Sequence, residues 1–108
     1  MKNQIIEGVF CDIQGTLLDY EDKINIEVLE ILKRYEKEGK IINLWTGGEI
    51  EEYQEKIWKL GIKYPILSKY NFKDSIVEIA IDDMPKRNFQ KKYGIKAKKF
   101  VLYKNKFW

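Results

Sequence analysis

The chain has 108 residues, 44% hydrophobic, 14% aromatic and 34% charged, which describes a foldable globular protein with one core and no room for a second domain. It has no histidine and a single cysteine, so Ser-His and Cys-His hydrolysis, imidazole metal ligation and an internal disulfide are all excluded. Its net charge of +3 comes from Lys concentrated in KRNFQKKYGIKAKKF at 86–100, which reads as a solvated face, with weak polyanion affinity as the sharper alternative.

The apolar run in MKNQIIEGVF is too short for a signal peptide, and no window approaches the ~20 apolar residues of a membrane span. A cytoplasmic location without a membrane partner is therefore expected, as one domain spanning 1–108. The run IIEGVFCDI at 5–13 reads as a buried strand, with Cys11 packing as a small hydrophobe and Asp12 near the strand's end. The chain then turns through Gln14-Gly15-Thr16. Leu18-Asp19-Tyr20-Glu21-Asp22 reads as a solvated turn, with a small flap bringing Tyr20 to a ligand as the alternative.

In DKINIEVLEILKRYEKEGK, Val28, Ile31, Leu32 and Tyr35 recur at helical spacing and Gly39 stops the helix. The strand KIINLW at 40–45 leads into Thr46-Gly47-Gly48. A second helix lies in GEIEEYQEKIWKLG, with Ile50, Tyr53, Ile57 and Leu60 on one face, Glu early, Lys late and Gly61 at the exit. The strand YPILSK at 64–69 delivers Ser68-Lys69, and IVEIAID at 76–82 delivers Asp82-Asp83. A third helix runs from Pro85 through Tyr93, with Gly94 after it, and KKFVLY at 98–103 is the last strand. The C-terminal KKFVLYKNKFW is basic with interleaved aromatics, a pattern that suits nucleic acid or another subunit; Phe107 and Trp108 read instead as an anchor on the protein's own surface.

Strand and helix thus alternate, and the strands are continuous apolar runs covered on both faces. That pattern predicts a three-layer α/β sandwich around a mostly parallel, Rossmann-like sheet. In such sheets ligands gather beyond the carboxyl ends of the strands, where Asp12, Thr46-Gly47, Lys69 and Asp82-Asp83 all fall. Taken singly, Thr46 reads as a helix cap, Lys69 as a solvated side chain and Asp82-Asp83 as a helix start. Together, three carboxylates at one rim call for a cation between them, and a hard divalent ion with oxygen ligands answers.

These residues resemble, in chain order, the four motifs of the haloacid dehalogenase-like hydrolase superfamily. DIQGTLLD is similar to the first motif, with Asp12 at the nucleophile position and Thr16 at the fifth. Thr46 matches the second motif, Lys69 the third with Lys73 as a substitute, and IAIDDMP the two-aspartate fourth. The resemblance implies Mg²⁺ held by Asp12, Asp82, Asp83 and the backbone carbonyl of Gln14, and attack by Asp12 on phosphorus to form an aspartyl-phosphate. Thr46 and the Gly47 amide would bind the phosphoryl oxygens and Lys69 would balance their charge. The intervals between motifs hold one helix each, which implies no cap domain. Capless relatives act on phosphate groups of macromolecules or borrow a neighbouring subunit as lid, so the expected partners are a phosphorylated small molecule or macromolecule and a second copy of the chain.

The departure is Gln14, where the family's phosphatases carry a second Asp that moves the proton. A carboxamide donates a hydrogen bond but transfers no proton. The expectation is a slowed or specialised phosphohydrolase or phosphotransferase, poor on alkyl phosphates. A catalytically inactive binding or interaction module on the same fold is the alternative. A receiver-like signalling domain would place its acidic pair first and its phospho-accepting Asp later, the reverse of this order.

Overall fold

The computed structural model describes residues 4–103. The strands are β1 (Ile5–Asp12), β2 (Ile42–Thr46), β3 (Ile66–Ser68), β4 (Ile76–Asp82) and β5 (Lys96–Leu102); the helices are α1 (Ile26–Lys37), α2 (Ile50–Lys59) and α3 (Lys86–Tyr93). All neighbouring strands pair in parallel, in the order β3-β2-β1-β4-β5. A parallel pair needs a crossover, and three of the four crossovers are α1, α2 and α3; the fourth passes through a 3-10 turn at Lys69–Phe72. The chain builds outward from β1 through β2 to β3, then crosses back to lay β4 on the other side of β1. The sheet therefore switches direction between β1 and β4, where an open α/β sheet forms its crevice.

Strand alternation gives each face of the sheet its own core. Val9, Cys11, Leu44, Ile79 and Ile81 pack with Val28 and Leu32 of α1 and Ile57 of α2. Phe10, Trp45 and Ala80 pack on the opposite side with Phe89 and Tyr93 of α3. Phe10 stands opposite Ala80 in the β1–β4 register, so Asp12 and Asp82, two residues further on, project from adjacent strands toward the α3 side. Beneath them lies an aromatic floor: Phe10 and Trp45 rings are 5.0 Å apart, and Trp45 and Phe89 are 5.7 Å apart. The three-layer α/β architecture is the expected one, and among the described residues no inserted cap interrupts it.

Two details differ from the sequence reading. The strands are not all covered on both faces: Ile5, Ile6 and Glu7 are exposed at the start of β1, and β5, an edge strand reading KAKKFVL, shows all three of its lysines to solvent. The edge position explains the Lys, which blunts further strand pairing. Leu60 is 41% exposed because α2 ends at Lys59, so Leu60 leaves the helical row that buries Ile57. The Phe107 and Trp108 reading lies outside the described residues. No helix among the described residues is long and apolar enough to cross a membrane.

The apolar run of β1 also hides a bulge. Ile6 pairs with Val77 but Val9 pairs with Ile79, so Glu7 and Gly8 together face Glu78. Gly8 has φ +121° and its N–H donates to Glu78 Oε1 at 2.9 Å, while a side-chain carbon there would lie 3.0 Å from the Ile41 carbonyl oxygen. Glu78 is held in turn by Lys40, whose ammonium keeps the Glu78 carboxyl below its ordinary pKa. Gly8→Ala is expected to lower stability by about 1–3 kcal/mol, the usual cost of a backbone conformation open essentially to glycine. Urea unfolding measures it, and a change within about 0.5 kcal/mol would count against the bulge.

Candidate active site

Each strand of the central trio ends in a polar residue aimed at one cleft of about 310 Å³. Asp12, Thr46 and Asp82 close β1, β2 and β4, and Lys69 follows β3 directly. Asp83 is half-buried beside them. The expected residues Asp12, Gln14, Thr46, Gly47, Lys69, Asp82 and Asp83 all line this cleft.

Lys69 is the centre of the charge arrangement and is only 3% exposed, not the solvated side chain its type suggests. Its Nζ donates to Asp12 Oδ1 at 2.8 Å and to Asp82 Oδ2 at 3.1 Å. The Tyr93 ring lies 4.6 Å from the ammonium and closes it off from water. Burial alone would lower the lysine's pKa, but Asp12 and Asp82 outweigh it and hold the ammonium charged, above its ordinary range. Lys73, the substitute, is exposed and packs near Gly94.

Asp12 uses both oxygens. Oδ1 takes Lys69, and Oδ2 accepts the Thr16 hydroxyl at 2.9 Å. Asp82 Oδ1 accepts the Met84 N–H at 3.0 Å, which fixes the turn into α3. Behind Asp12, Cys11 is fully buried; burial pushes its thiol well above the ordinary range, so it is a packing residue and not a reactive one.

Two glycines make the cleft possible. Gly15 has φ +86°, and a Cβ there would lie 2.5 Å from Asp83 Oδ2; only glycine lets this carboxylate rest over the turn. A Cβ on Gly47 would lie 2.8 Å from the Tyr93 hydroxyl, so the loop after β2 passes under Tyr93 only without a side chain. The same loop is pinned by Thr46 Oγ1, which accepts the Gly48 N–H at 3.0 Å.

Asp12, Asp82 and Asp83 each bring one carboxylate oxygen within 4.8 Å of the others. An all-oxygen set of this kind suits Mg²⁺ or another hard cation and does not suit a thiolate- or imidazole-seeking metal. The residues therefore fit the implied ion. Without it the carboxylates crowd one another: burial pushes the Asp12 carboxyl up to about 7 against the pull of Lys69, and burial with Asp82 raises Asp83.

The sign of the resulting pH effect follows from linkage. The Asp12 pKa is higher folded than its ordinary 3.8, so the metal-free fold holds a proton that the unfolded chain has lost. This contribution to stability is present below about 4 and is lost as pH rises toward about 7. A cation at the three carboxylates competes with that proton. The expected result is a thermal stabilisation by Mg²⁺ that is larger at pH 8 than at pH 5; equal shifts at both would place the ion elsewhere.

Gln14 is anchored rather than loose. Its Nε2 donates to the Asp19 carbonyl at 3.1 Å and its Oε1 accepts the Tyr53 hydroxyl at 3.3 Å. Asp19 belongs to a segment that sequence reads as a solvated turn but that is knitted together. Asp19 N–H bonds the Lys23 carbonyl at 2.9 Å and Asn25 N–H bonds the Leu17 carbonyl at 2.8 Å, with Leu17 and Leu18 fully buried as its root. Asp22 sits at φ 62° at the tip and pairs with Lys56 of α2 at 3.2 Å. Tyr20 and Glu21 at the segment's tip are solvent-exposed, as a turn's are, and Tyr20 lies among the residues that line the cleft.

Sequence reasoning missed the rest of that wall. Tyr53 and Tyr93 read as helix-face residues, and Tyr70 carried no signal. Tyr53 near the start of α2 and Tyr93 at the end of α3 both line the cleft, the Tyr93 hydroxyl lying over the Gly47 loop. Only the spacing of Tyr53 at the mouth-facing start of α2 was a usable cue.

A family model described as haloacid dehalogenase-like hydrolase matches residues 9–72. Neither the curated proteins nor the solved structures gave a significant match. The matched span carries Asp12, Thr46 and Lys69, and the β1–β4 pairing brings Asp82 and Asp83 to the same three side chains. The chain belongs to the haloacid dehalogenase-like hydrolases.

Proposed function

We propose that the protein is a Mg²⁺-dependent phosphohydrolase or phosphotransferase that works through an aspartyl-phosphate on Asp12 and is slow on alkyl phosphates because of Gln14. The observation that carries this reading is the Lys69 ammonium bonded to both Asp12 and Asp82 in a cleft that also holds Asp83 and Thr46. Held by Asp12, Asp82, Asp83 and the Gln14 backbone carbonyl, Mg²⁺ supplies neutralisation of phosphoryl charge.

The chain's own residues do the remainder. Lys69 and Thr16 orient the Asp12 carboxylate, one oxygen each, and Lys69 favours its ionised, nucleophilic form. Thr46 and the Gly47 amide receive phosphoryl oxygens, and phosphoryl transfer asks mainly for such positioning and charge balance. Gln14 holds Tyr53 and the Leu18–Asp22 turn together but moves no proton, so the leaving oxygen departs on its own. The uncapped cleft leaves the substrate or a neighbouring subunit to cover the site.

Trapping tests the reading. Incubation with Mg²⁺ and an aryl or acyl phosphate, followed by acid quench and mass spectrometry, is expected to show a phosphoryl group on the peptide containing Asp12. Hydroxylamine should remove it, and Asp12→Asn should abolish it. Gln14's engagement in two side-chain bonds favours a second reading, a phosphate-binding module without turnover. That reading takes over if phosphate binds but Asp12 is never modified.

A further inference from the structure

The proposed phosphoryl site has a floor and a wall of different chemistry. The floor is ionic: Asp12, Lys69, Asp82 and Asp83. The wall is aromatic, built from four tyrosines on four separate segments: Tyr20 on the Leu18–Asp22 turn, Tyr53 on α2, Tyr70 on the turn after β3 and Tyr93 at the end of α3. Tyr20 and Tyr70 are 62% and 60% exposed, so much of each side chain faces solvent at the cleft mouth. The Tyr70 and Tyr93 rings meet edge to face at 5.8 Å, so the wall is a continuous surface on that side and not a set of unrelated side chains. Beyond the groups assigned to the phosphoryl and metal, the charged lining is confined to Lys92. Such a wall presents aromatic ring surface to whatever the phosphoryl group is attached to, and suits a flat ring. At about 310 Å³ the cleft is near the small end of ligand pockets, enough for a phosphoryl group and one ring.

An independent observation concerns the leaving group. Gln14 supplies no proton, and its carboxamide is already bonded to Asp19 and Tyr53. The substrate best served is one whose oxygen leaves as a stable anion, and a phenol oxygen does so where an alkyl alcohol does not.

We infer that the physiological substrate class is the phosphate ester of a phenol, with its ring held by the tyrosine wall. The inference rests on the function proposed above and names the substrate of that site. In the first step an Asp12 oxygen bonds to phosphorus while the phosphorus–aryl oxygen bond breaks; its electron pair leaves with the phenolate, which takes a proton from solvent. In the second, water attacks the phosphorus of phospho-Asp12, the acyl–phosphate bond breaks, and the Asp12 carboxylate and inorganic phosphate are released, with the water's proton passing to solvent. A free aryl phosphate and a phosphotyrosine side chain share this chemistry.

The test separates ring recognition from leaving-group chemistry and both from the underlying function. Binding of phenylphosphonate and cyclohexylphosphonate is measured by calorimetry with Mg²⁺, and kcat/KM is measured for phenyl, benzyl and cyclohexyl phosphate. Phenylphosphonate is expected to bind more tightly than its saturated counterpart by about 2- to 10-fold, the worth of one aromatic contact. Phenyl phosphate is expected to exceed benzyl phosphate in kcat/KM, because the two share a ring but not a leaving group. Tyr70→Ala and Tyr20→Ala are each expected to erase the phenyl preference in binding. A parallel loss of affinity for inorganic phosphate in those variants would mean damage to the site and would overturn the wall's role. Comparable kcat/KM for all three esters would overturn the inference and leave the phosphohydrolase standing. A phenyl preference in binding with no phospho-Asp12 would overturn the hydrolytic step and leave the ring site standing. Free phosphotyrosine against a phosphotyrosyl peptide, run as a further arm, tells a small-molecule source from a macromolecular one.

Discussion

Lys69→Met is expected to destabilise the metal-free protein by about 3–5 kcal/mol, the usual cost of removing one partner from a buried ion pair. Methionine keeps most of the side chain's length and fills the same buried space, so the loss reports mainly the charge, including the ammonium's contacts with the Tyr93 and Phe89 rings. What remains is Asp12 beside Asp82, both buried, with the cation that bonded each of them gone. The Asp12 carboxyl, already pushed up to about 7, moves further from its ordinary 3.8. A group protonated in the fold and ionised in the unfolded chain removes stability as pH rises, so the destabilisation should be larger at pH 8 than at pH 5. Denaturant unfolding at both values measures it, and for a domain of this size each kcal/mol corresponds to about 4–8 °C in melting temperature. A variant as stable as the parent at pH 8 would mean that the lysine does not bridge the two carboxylates. Mg²⁺ should restore part of the loss, since it supplies the missing positive charge to the same oxygens.

Gln14→Asp is expected to raise turnover of alkyl phosphates by about 10²–10⁴, the range that a positioned general acid-base group contributes. That corresponds to roughly 3–5 kcal/mol of barrier. Gln14 sits two residues past Asp12, lines the cleft and is held by Asp19 and Tyr53, so a carboxyl placed there is directed by the same turn. Asp12 and Asp83 nearby would raise its pKa, which suits a group that must give up a proton near neutral pH. Phenyl phosphate should gain far less in kcat/KM, because its leaving oxygen departs without help, whereas hydrolysis of the phospho-Asp12 common to both esters gains equally. Phosphate release under identical Mg²⁺ measures both, and equal gains in kcat/KM would sink the leaving-group argument. The Tyr53 hydroxyl and the Asp19 carbonyl lose a partner in this variant, but both lie in part-buried surroundings where solvent replaces it, so the fold should hold.

Much of this site was legible because its residues follow strand ends. A strand of β1's composition stops where Asp12 turns through Gly15, and the acidic pair after β4 is equally marked, so the rim's polar content could be read off before any contact was known. The same logic failed for side chains whose local pattern has a bland explanation. Lys69 was placed at the rim by its strand end, but its burial was not legible, and only the return of the chain across the sheet supplies it. Tyr53 and Tyr93 satisfy a helix's apolar period whether they face a core or a cleft, and the period cannot distinguish the two. The turn at Leu18–Asp22 is solvated at its tip as its composition predicts, but its rooting in the core through Leu17 and Leu18 was not legible in turn residues.

What the sequence determined by itself was local: which segments are strands and helices, where glycine ends them, and that a carboxamide stands two residues after Asp12. These follow from short-range periodicity and backbone sterics, which are properties of a few consecutive residues. Strand order, the Glu7–Gly8 bulge, the meeting of Asp12 with Asp82 across β1 and β4, and the gathering of four tyrosines at one mouth were decided only by the tertiary structure. Each depends on pairings between residues tens of positions apart, whose free energy comes from joint burial on both faces of the sheet and is written in no single stretch of the chain.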